Sequence, residues 1–405
     1  MPEISKQRAA LPPCRVVPES GVKPTPTGPP RRIMIVAGEA SGDLHGSDLA
    51  LQLRARDPDC ELFGVAGPQM RAAGVRPIAN IEEITGLGVA ELGSTFWRTF
   101  RVLLRLRTEL HRSPPSLVIL IDFAEFNLIL AGIAHRAGVP VLYYILPQVW
   151  AWRRHRIRKL VRRSTRMAVV FPFEAELYAQ AGGKVSFVGH PLLDRAVPAQ
   201  GRAETLERHG FAPGTRLLAI LPGSRRGEIR YLLRPLLEAA RTLCADHNLV
   251  PVIPLAPTLR PADLEAAITR KELENVRIIA GDTYSIIAAS ELALVTSGTA
   301  TLETALLGCP MVIVYRVSAI TYVLGRLLIR GVNHIGMPNL LAGRQLVPEL
   351  LQRQVNATAL VRAAEPMLTE PRRTEVAEAL KSLRQLLGSP KAADRVAAMA
   401  LEICR

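Results

Sequence analysis

The sequence predicts an α/β protein with two Rossmann-like, doubly wound domains, each built on a parallel sheet. Three observations support this prediction. Short apolar runs alternate with helical patterns, and this alternation occurs twice along the chain. A polar segment with Pro and Gly, residues 198–214, separates the two series. The chain has 405 residues, which is more than one hydrophobic core usually organises.

The first series spans residues 31–197 and follows a Pro-, Gly- and Thr-rich tail, residues 1–30, that we predict to be disordered. The run Leu117–Ile121 is apolar throughout, as expected of a strand that is buried on both faces. Further strands are predicted over Ile33–Ala37, Glu61–Val65, Val139–Ile145, Ala168–Phe171 and Val185–Val188, and helices over Asp43–Arg56, 67–74 and Phe126–Ala137.

The second series spans residues 215–370. Strands are predicted over Leu217–Leu221, Leu249–Leu255, Arg277–Ala280, Leu292–Val295 and Met311–Tyr315, and helices over Glu228–Cys244 and Ala300–Leu307. Doubly wound folds bind ligands at the carboxyl ends of their strands, so a cleft between the two domains is the expected site.

The composition of the chain indicates what kind of partner it binds and in which compartment it works. Lys and Arg number 51 against 36 Asp and Glu, a net charge of +15, which favours anionic partners. The five cysteines form no C-x-x-C pair, and the histidines form no H-E-x-x-H motif, so we expect neither disulfides nor a metal. The chain has no apolar run of the roughly 18 residues that span a bilayer, and its N-terminus lacks a signal-peptide core. We therefore expect a cytoplasmic protein, soluble or peripheral on a membrane.

Glycines and small polar residues join the first predicted strand to the first helix, from Gly38 to Gly46. A phosphate cradle is one interpretation and a plain strand-to-helix turn, with Asp43 as the helix cap, is the other. The spacing matches neither dinucleotide-binding nor P-loop motifs, and the Glu39 carboxylate would repel a phosphate.

Two turns in the second series are better suited to phosphate. Gly223, Ser224 and Arg225 follow a strand and precede a helix, where N–H groups, a hydroxyl and a guanidinium would meet phosphate oxygens. The alternative is a basic turn with solvated arginines.

The second such turn contains Ser297, Gly298 and Thr299, with Glu303 one helical turn later. Glu303 could accept hydrogen bonds from a ribose diol. The alternative is an ordinary capped helix in which Thr299 caps and Glu303 is solvated. Two donor-rich turns in one domain favour a nucleotide diphosphate.

Asp122 stands just after the buried run Leu117–Ile121, a common place for catalytic side chains, and Glu125 lies one turn further on. In a cleft, Asp122 could act as a general base. The alternative is that Asp122 only caps the following helix.

Two stretches combine basic and aromatic residues. In the segment 150–166, Trp152, Arg153 and Arg154 begin a predicted basic amphipathic helix suited to an anionic membrane or nucleic acid. The segment 96–107 favours the membrane, because helical spacing gives it an apolar and a basic side. Its candidate contact residues are Phe96, Trp97, Phe100 and Arg101, with Leu103 on the apolar side and Arg98 and Arg105 on the basic side. The alternative is a pair of solvated helices with a core stripe.

Nine short motifs, in order, resemble the lipid-A-disaccharide synthase family. They are Val36–Asp43 (VAGEASGD), Gly67–Met70 (GPQM), Ile121–Asn127 (IDFAEFN), Pro147–Trp152 (PQVWAW), Pro172–Glu174 (PFE), Val188–Leu192 (VGHPL), Leu221–Arg225 (LPGSR), Ser297–Glu303 (SGTATLE) and Pro338–Arg344 (PNLLAGR). They cover about residues 32–350.

The resemblance implies a GT-B glycosyltransferase that needs no metal or other cofactor. Such enzymes join UDP-2,3-diacylglucosamine to 2,3-diacylglucosamine 1-phosphate with inversion, which releases UDP and gives the β(1→6) lipid A disaccharide. The resemblance also implies an anionic inner-membrane surface as partner, and no nucleic acid. It is compatible with a homodimer in which the C-terminal helix, about residues 375–404, packs on the first domain or exchanges between protomers.

The resemblance also implies residue roles. The second domain would hold UDP through the two donor-rich turns, with Asn339 supporting the nucleotide side. Asp122 would be the base, which favours its catalytic interpretation, and Glu39, Ser41, Asp43 and Glu125 would shape the acceptor side. In two places this chain departs from the family pattern, since Glu125 replaces an Asp and Gln345 replaces a Glu.

Two alternatives remain at this point. One is another GT-B enzyme that acts on a UDP-sugar, such as a UDP-N-acetylglucosamine 2-epimerase, which would need no apolar and basic surface. The other is a non-catalytic membrane- or nucleotide-binding protein, which would leave Asp122 without a role. UDP release that depends on the diacylated acceptor separates all three.

Overall fold

The computed structural model describes residues 30–84, 92–149, 153–317 and 334–405. Within these ranges the strands form a seven-stranded and a six-stranded sheet, and all strand pairs are parallel. Helices follow most strands. The predicted fold class, two Rossmann-like units with parallel sheets, is therefore confirmed.

The first sheet is built from residues 32–187. Its strands are β1 (Arg32–Ala37), β2 (Glu61–Ala66), β3 (Arg76–Asn80), β4 (Leu117–Ile121), β5 (Val141–Tyr144), β6 (Arg166–Val169) and β7 (Val185–Phe187). Their spatial order is β3-β2-β1-β4-β5-β6-β7. The chain reverses its direction of growth between β1 and β4, so the carboxyl ends of these two strands border the switch point where ligands bind in such folds.

The helices of this part of the chain cover both faces of the sheet. They are α1 (Ala40–Arg56), α2 (Pro68–Ala72), α3 (Ile81–Ile84), α4 (Leu92–Arg112), α5 (Ala124–Arg136), α6 (Ile157–Arg163), α7 (Pro172–Gln180) and α8 (Leu192–Arg195), with a 3₁₀ turn at Arg154–Arg156. Every residue of Leu117–Ile121 is fully buried, as its continuous apolar run predicts.

The second sheet has the order β10-β9-β8-β11-β12-β13, with its own switch point between β8 and β11. Its strands are β8 (Arg216–Leu221), β9 (Leu249–Leu255), β10 (Arg277–Ala280), β11 (Ser290–Thr296), β12 (Met311–Tyr315) and β13 (Glu349–Leu351). The remaining helices are α9 (Arg202–Arg208), α10 (Arg226–His247), α11 (Pro261–Glu265), α12 (Arg270–Leu273), α13 (Thr283–Ala289), α14 (Thr299–Leu306), α15 (Met337–Ala342), α16 (Ala357–Leu368), α17 (Arg372–Leu386) and α18 (Ala392–Ile403), with a 3₁₀ turn at Gln352–Gln354.

The C-terminal segment returns to the first sheet. Leu380 of α17 is fully buried in the core around the second sheet, whereas Val396 of α18 is fully buried in the core around the first. The single helix predicted over about residues 375–404 is therefore wrong, because two helices occupy this range. Left-handed backbone at Gly388 (φ 84°) and Lys391 (φ 70°) separates α17 from α18, so that the two helices reach different cores.

Other predicted boundaries also need correction. The segment 198–214, predicted as a linker, contains α9, and Leu206 of that helix is buried with Leu217 of the second sheet. The basic helix predicted across residues 150–166 is, from Arg153 onwards, a 3₁₀ turn followed by the short α6, because Arg166 already pairs in the sheet as part of β6. The predicted disordered tail lies outside the described residues, apart from Pro30.

Candidate active site

The loop after β1 packs tightly against the loop after β4. A Cβ at Gly38 would lie 2.0 Å from Cγ of Phe123, so the glycine is what allows the two loops to approach this closely. Helix α1 begins at Ala40 with Glu39 as its N-cap. The prediction that Asp43 caps this helix is therefore wrong, because Asp43 already lies in its first turn.

The carboxylate of Asp43 holds α2 instead. It accepts hydrogen bonds from the N–H groups of Gly67 at 2.9 Å, Gln69 at 2.9 Å and Met70 at 3.0 Å. These are backbone donors at the start of a helix, which otherwise have no partner. Only 3% of Asp43 is exposed, so its carboxylate stabilises the loop rather than presenting a free oxygen to a ligand. Ser41 lies in the first turn of α1 and is partly exposed.

Asp122 follows β4 directly, in a strained turn. Asp122 and Phe123 have φ values of 49° and 50°, the left-handed region that costs a residue with a side chain about 1–2 kcal/mol. Such strain at two successive residues persists only where the surrounding structure holds it. Because it aims one carboxylate away from the regular path of strand and helix, this turn is a candidate catalytic feature.

Buried polar groups hold this turn from below. The Asn127 amide donates to the carbonyls of Ile121 at 3.1 Å and Asp122 at 2.7 Å, and the Tyr143 hydroxyl donates to the Asp122 carbonyl at 3.2 Å. Both Asn127 and Tyr143 are fully buried. Sequence reasoning missed this support, although Asn127 stands in the motif that contains Asp122.

The environment of Asp122 suits a general base. Burial raises the pKa of its carboxyl to about 6, and the Glu39 carboxylate contributes in the same direction. The N–H of Phe123 and the Arg225 guanidinium oppose this rise in pKa. A carboxylate with a pKa near the working pH accepts a proton more readily than an ordinary one while still being ionised.

An ion pair joins the two halves of the chain at this point. Nη2 of Arg225 lies 2.8 Å from a carboxylate oxygen of Glu39. Glu39 comes from the carboxyl end of the first sheet and Arg225 from that of the second. The charges of Glu39 and Arg225 both act on Asp122, so Asp122 and the Arg225 side chain border the same space.

The turn at Gly223–Arg225 is already occupied by a carboxylate. Glu228 accepts hydrogen bonds from the N–H of Ser224 at 2.9 Å and of Arg225 at 3.3 Å. A Cβ at Gly223 would lie 2.3 Å from the same carboxylate. The N–H groups that we expected to bind phosphate thus cap α10 with its own glutamate, and the Arg225 side chain remains the phosphate candidate here. Glu228 stands at the third helical position, where capping-box acids occur, and this signal was overlooked.

The N-terminus of α14 is open by comparison. Gly298 is its N-cap, with φ 151°, and among the described residues nothing lies within 4 Å of the place its Cβ would take. Gly298 and Thr299 are exposed, and the Ser297 hydroxyl donates to the carbonyl of Ile335 at 3.2 Å. Within the described ranges the buried hydroxyl of Thr296, at the end of β11, has no hydrogen-bond partner. This turn offers helix N–H groups and a hydroxyl to an anion.

Glu303 is held in place by a tyrosine of the neighbouring helix. The Tyr284 hydroxyl donates to Oε1 of Glu303 at 2.8 Å. Burial raises the pKa of the Glu303 carboxyl, and the hydrogen bond from Tyr284 opposes this rise. One carboxylate oxygen is thereby fixed and the other remains for a ligand. A carboxylate fixed in this way suits a ribose diol better than a mobile, solvated glutamate would.

Asn339 is fully buried and bonded to the protein itself. Its amide nitrogen donates to the carbonyl of Val347 at 2.8 Å and to Glu349 at 2.7 Å, and its oxygen accepts from the N–H groups of Leu346 and Val347. Glu349 also accepts from the N–H groups of Ile335 and Gly336. A direct contact between Asn339 and a ligand would break one of these bonds, so Asn339 orders the backbone beside the cleft.

Helix α4 exposes an apolar strip that agrees with the predicted one at Trp97 and Phe100 but not at Leu103. Its exposed apolar residues are Trp97 (61% exposed), Phe100 (42%) and Leu104 (42%). Leu103, which we assigned to the same side as Phe100, packs against the first core instead. Arg101 and Arg105 are exposed beside the strip. The side chain of Phe96 lies outside the described residues.

The other predicted membrane segment, residues 150–166, makes ion pairs within the protein. Arg153 and Arg156 both form ion pairs with Glu125, which places Glu125 against the basic segment. Arg154 is exposed, and Trp152 lies outside the described residues. Of the described helices, none is long and apolar enough to cross a bilayer.

Comparison with known proteins identifies the family. The profile of the lipid-A-disaccharide synthetase family matches residues 33–403. The chain belongs to this family. It is 44% identical to the lipid-A-disaccharide synthase of Geobacter metallireducens over 93% of this chain and 98% of that protein. The corresponding enzyme of Myxococcus xanthus is 40% identical over 93% of this chain and 98% of its own length. The resemblance seen in the motifs is thus confirmed, as is the enzyme class.

Solved structures of low identity share the fold. A UDP-GlcNAc 2-epimerase from Neisseria meningitidis superposes with a TM-score of 0.63 at 13% identity, over 92% of this chain and all of that one (100%). A calicheamicin glycosyltransferase superposes with a TM-score of 0.59 at 16% identity, over 92% of this chain and 98% of that one. The GT-B fold is therefore shown. The family match favours the synthase over the epimerase that we kept as an alternative.

Proposed function

We propose that this protein transfers 2,3-diacylglucosamine from its UDP derivative to the 6-hydroxyl of 2,3-diacylglucosamine 1-phosphate, with inversion. The observation that carries this proposal is the ion pair of Glu39 with Arg225, because it sets a basic carboxylate, Asp122, opposite a phosphate-binding side chain. Transfer to a hydroxyl requires a base on one side and stabilisation of a leaving diphosphate on the other.

In the proposed reaction the ionised Asp122 removes the proton of the acceptor 6-hydroxyl as its oxygen attacks the anomeric carbon. The bond between that carbon and the diphosphate oxygen breaks, and UDP leaves with the electron pair. The Arg225 guanidinium and the open N–H groups at Gly298 and Thr299 stabilise the negative charge of the diphosphate. Arg225 must leave Glu39, at least in part, to do so, which frees Glu39 for a sugar hydroxyl.

The other site residues serve the two substrates. Glu303, fixed by Tyr284, binds the ribose, and Ser297 and Ser224 line the nucleotide side, with Asn339 ordering the loop behind it. Ser41 and Glu39 bound the acceptor side, Asp43 keeps that loop in shape, and Glu125 positions the basic segment around Arg153.

The exposed strip of α4 is proposed to contact the inner membrane, where the acyl chains of both substrates reside. Trp97 and Phe100 would enter the interfacial region while Arg101 and Arg105 meet anionic headgroups. The protein would then be peripheral on the cytoplasmic side. The protein is further proposed to form a homodimer, which a mass measurement in solution would detect. Helix α18, which packs on the first core, is the helix that two protomers would exchange in such a dimer.

Release of radiolabelled UDP, with and without the diacylated acceptor, tests the proposal. We expect release to depend on the acceptor and to fall by about a hundredfold to ten-thousandfold in Asp122→Asn, since general-base catalysis contributes 10²–10⁴-fold. UDP affinity should be unchanged in that variant and reduced in Arg225→Ala. Acceptor-independent turnover, or wild-type turnover by Asp122→Asn, would contradict the proposed reaction.

A further inference from the structure

An open cavity of about 550 Å³ lies in the first half of the chain. Its lining residues within the described ranges lie on α2, at the end of β3, on α3 and on α4. These are Arg71, Asn80, Glu82, Glu83 and Arg98. No role follows for these residues from the proposed transfer reaction.

The charges of the cavity balance, because two guanidinium groups meet two carboxylates. Arg71 is anchored through Nη1, which donates to the carbonyl of Ala66 at 3.1 Å and to Asn80 at 2.8 Å. Both Nη1 and Nη2 of Arg71 also contact Glu82, each at the long distance of 3.4 Å, and both side chains are partly exposed. Such a long, solvated ion pair is worth little, so both charged groups can exchange partners at small cost.

Glu83 is held more firmly on the same wall. It accepts from the N–H of Asn80 at 2.8 Å and pairs with Arg105 of α4 at 3.0 Å. The cavity therefore presents an anchored guanidinium and an anchored carboxylate at the same time. A ligand with one negative and one positive group would match this pattern, whereas a purely anionic ligand would face two carboxylates.

Helix α4 carries both a cavity residue, Arg98, and the exposed apolar strip. Trp97 directly precedes Arg98, and its ring contacts that of Phe100 edge-on with centroids 6.2 Å apart. A lipid whose chains meet Trp97 and Phe100 would bring its polar end towards Arg98. One helix thus supplies both charged and apolar side chains, the two kinds of contact that a phospholipid needs.

We propose that this cavity binds the headgroup of a zwitterionic phospholipid that carries a primary ammonium, namely phosphoethanolamine. The phosphodiester is held by Arg71 and Arg98, and the ammonium by Glu82 and Glu83. A primary ammonium donates three hydrogen bonds to carboxylates, whereas a quaternary ammonium donates none, so the site discriminates against choline headgroups. This inference rests on the proposed membrane contact of α4 and adds selectivity that the net positive charge cannot provide.

Sedimentation with vesicles tests the proposal on the full chain. One set contains phosphatidylcholine alone and the other a mixture with phosphatidylethanolamine, so neither carries net charge. We expect about three- to fivefold stronger binding to the mixture, the effect of one exposed ion pair. Glu82→Gln should lose this preference. Glu176→Gln, an exposed carboxylate on α7, changes the net charge equally and should keep it.

Three results would overturn the proposal. The first is equal binding to the two vesicle types. The second is a preference for phosphatidylethanolamine that survives in Glu82→Gln and thus reflects bilayer packing. The third is competition for vesicle binding by the diacylated acceptor but not by glycerophosphoethanolamine. Glycerophosphocholine serves as the matched soluble control. UDP release by the unmodified protein in phospholipid-free detergent is measured separately, so failure of the transfer reaction and failure of the headgroup site are distinguished.

Discussion

Replacing Asn127 with Ala should separate the shape of the catalytic turn from the presence of the base. The Asn127 amide makes two hydrogen bonds, to the carbonyls of Ile121 and Asp122, and the Asp122 carbonyl also accepts from Tyr143. At about 1 kcal/mol for each buried hydrogen bond, the loss in stability is about 2 kcal/mol. A comparable amount of strain is stored at the two left-handed residues, so the turn should relax.

Relaxation would move the Asp122 carboxylate. A displacement of about 1 Å in a catalytic group can cost about a hundredfold in rate, so we expect kcat for UDP release to fall by about that factor. Thermal unfolding measures the stability and acceptor-dependent UDP release measures the rate. The matched control is Asn356→Ala, because Asn356 caps α16 by accepting from Ala359 at 3.0 Å, far along the chain from Asp122.

The control should lose about 1 kcal/mol of stability and keep its kcat. If Asn127→Ala retained wild-type kcat despite its loss of stability, then the buried amide would not position Asp122 and our account of the turn would be wrong. If Asn356→Ala lost as much activity as Asn127→Ala, the rate loss would reflect stability alone.

Three further predictions follow from the site. Because the pKa of Asp122 is raised to about 6 and its ionised form is the base, kcat/KM should decline as pH falls below about 6. Glu39→Gln removes one cause of the raised pKa, so the decline in kcat/KM should begin at a lower pH in this variant. A pH–rate profile of both proteins would show the difference. Tyr284→Phe frees Oε1 of Glu303 and should raise KM for the UDP-sugar about fivefold with little change in kcat, while an altered kcat at constant KM would refute the ribose role. Gly298→Ala places a methyl group where a diphosphate is proposed to bind, so UDP affinity measured by calorimetry should fall at least about tenfold; unchanged affinity would remove α14 from the phosphate site.

The sequence predicted the central strands and the edge strands β7 and β10 well, but it missed the edge strands β3 and β13. The bounds of Leu117–Ile121, Leu249–Leu255 and Met311–Tyr315 agree with the structure, because strands buried on both faces must be continuously apolar. Strand β3 (Arg76–Asn80) was not predicted, since an edge strand is solvated and carries polar residues and a proline. The edge strand β13 (Glu349–Leu351) was missed because three residues are too few to show a strand pattern.

The candidate site was predicted in outline. Position after a strand was enough to single out Asp122, Arg225 and Gly298. The left-handed turn at Asp122 was not foreseeable, because such backbone is normally a property of glycine and here depends on buried support. The ion pair of Glu39 with Arg225 was not foreseeable either, since 186 residues separate the partners and only the folded chain brings them together.

The return of α18 to the first core has a consequence for biosynthesis. Val396, Ala397 and Ala400 are fully buried there, against elements made from the first residues of the fold. When residues 31–197 have emerged from the ribosome, the core around the first sheet still has the apolar face that α18 will later cover. The first core therefore stays incompletely packed until α18 has been synthesised. Nascent chains that stop before α18 should be prone to aggregation and degradation, because the apolar face that this helix covers would stay exposed.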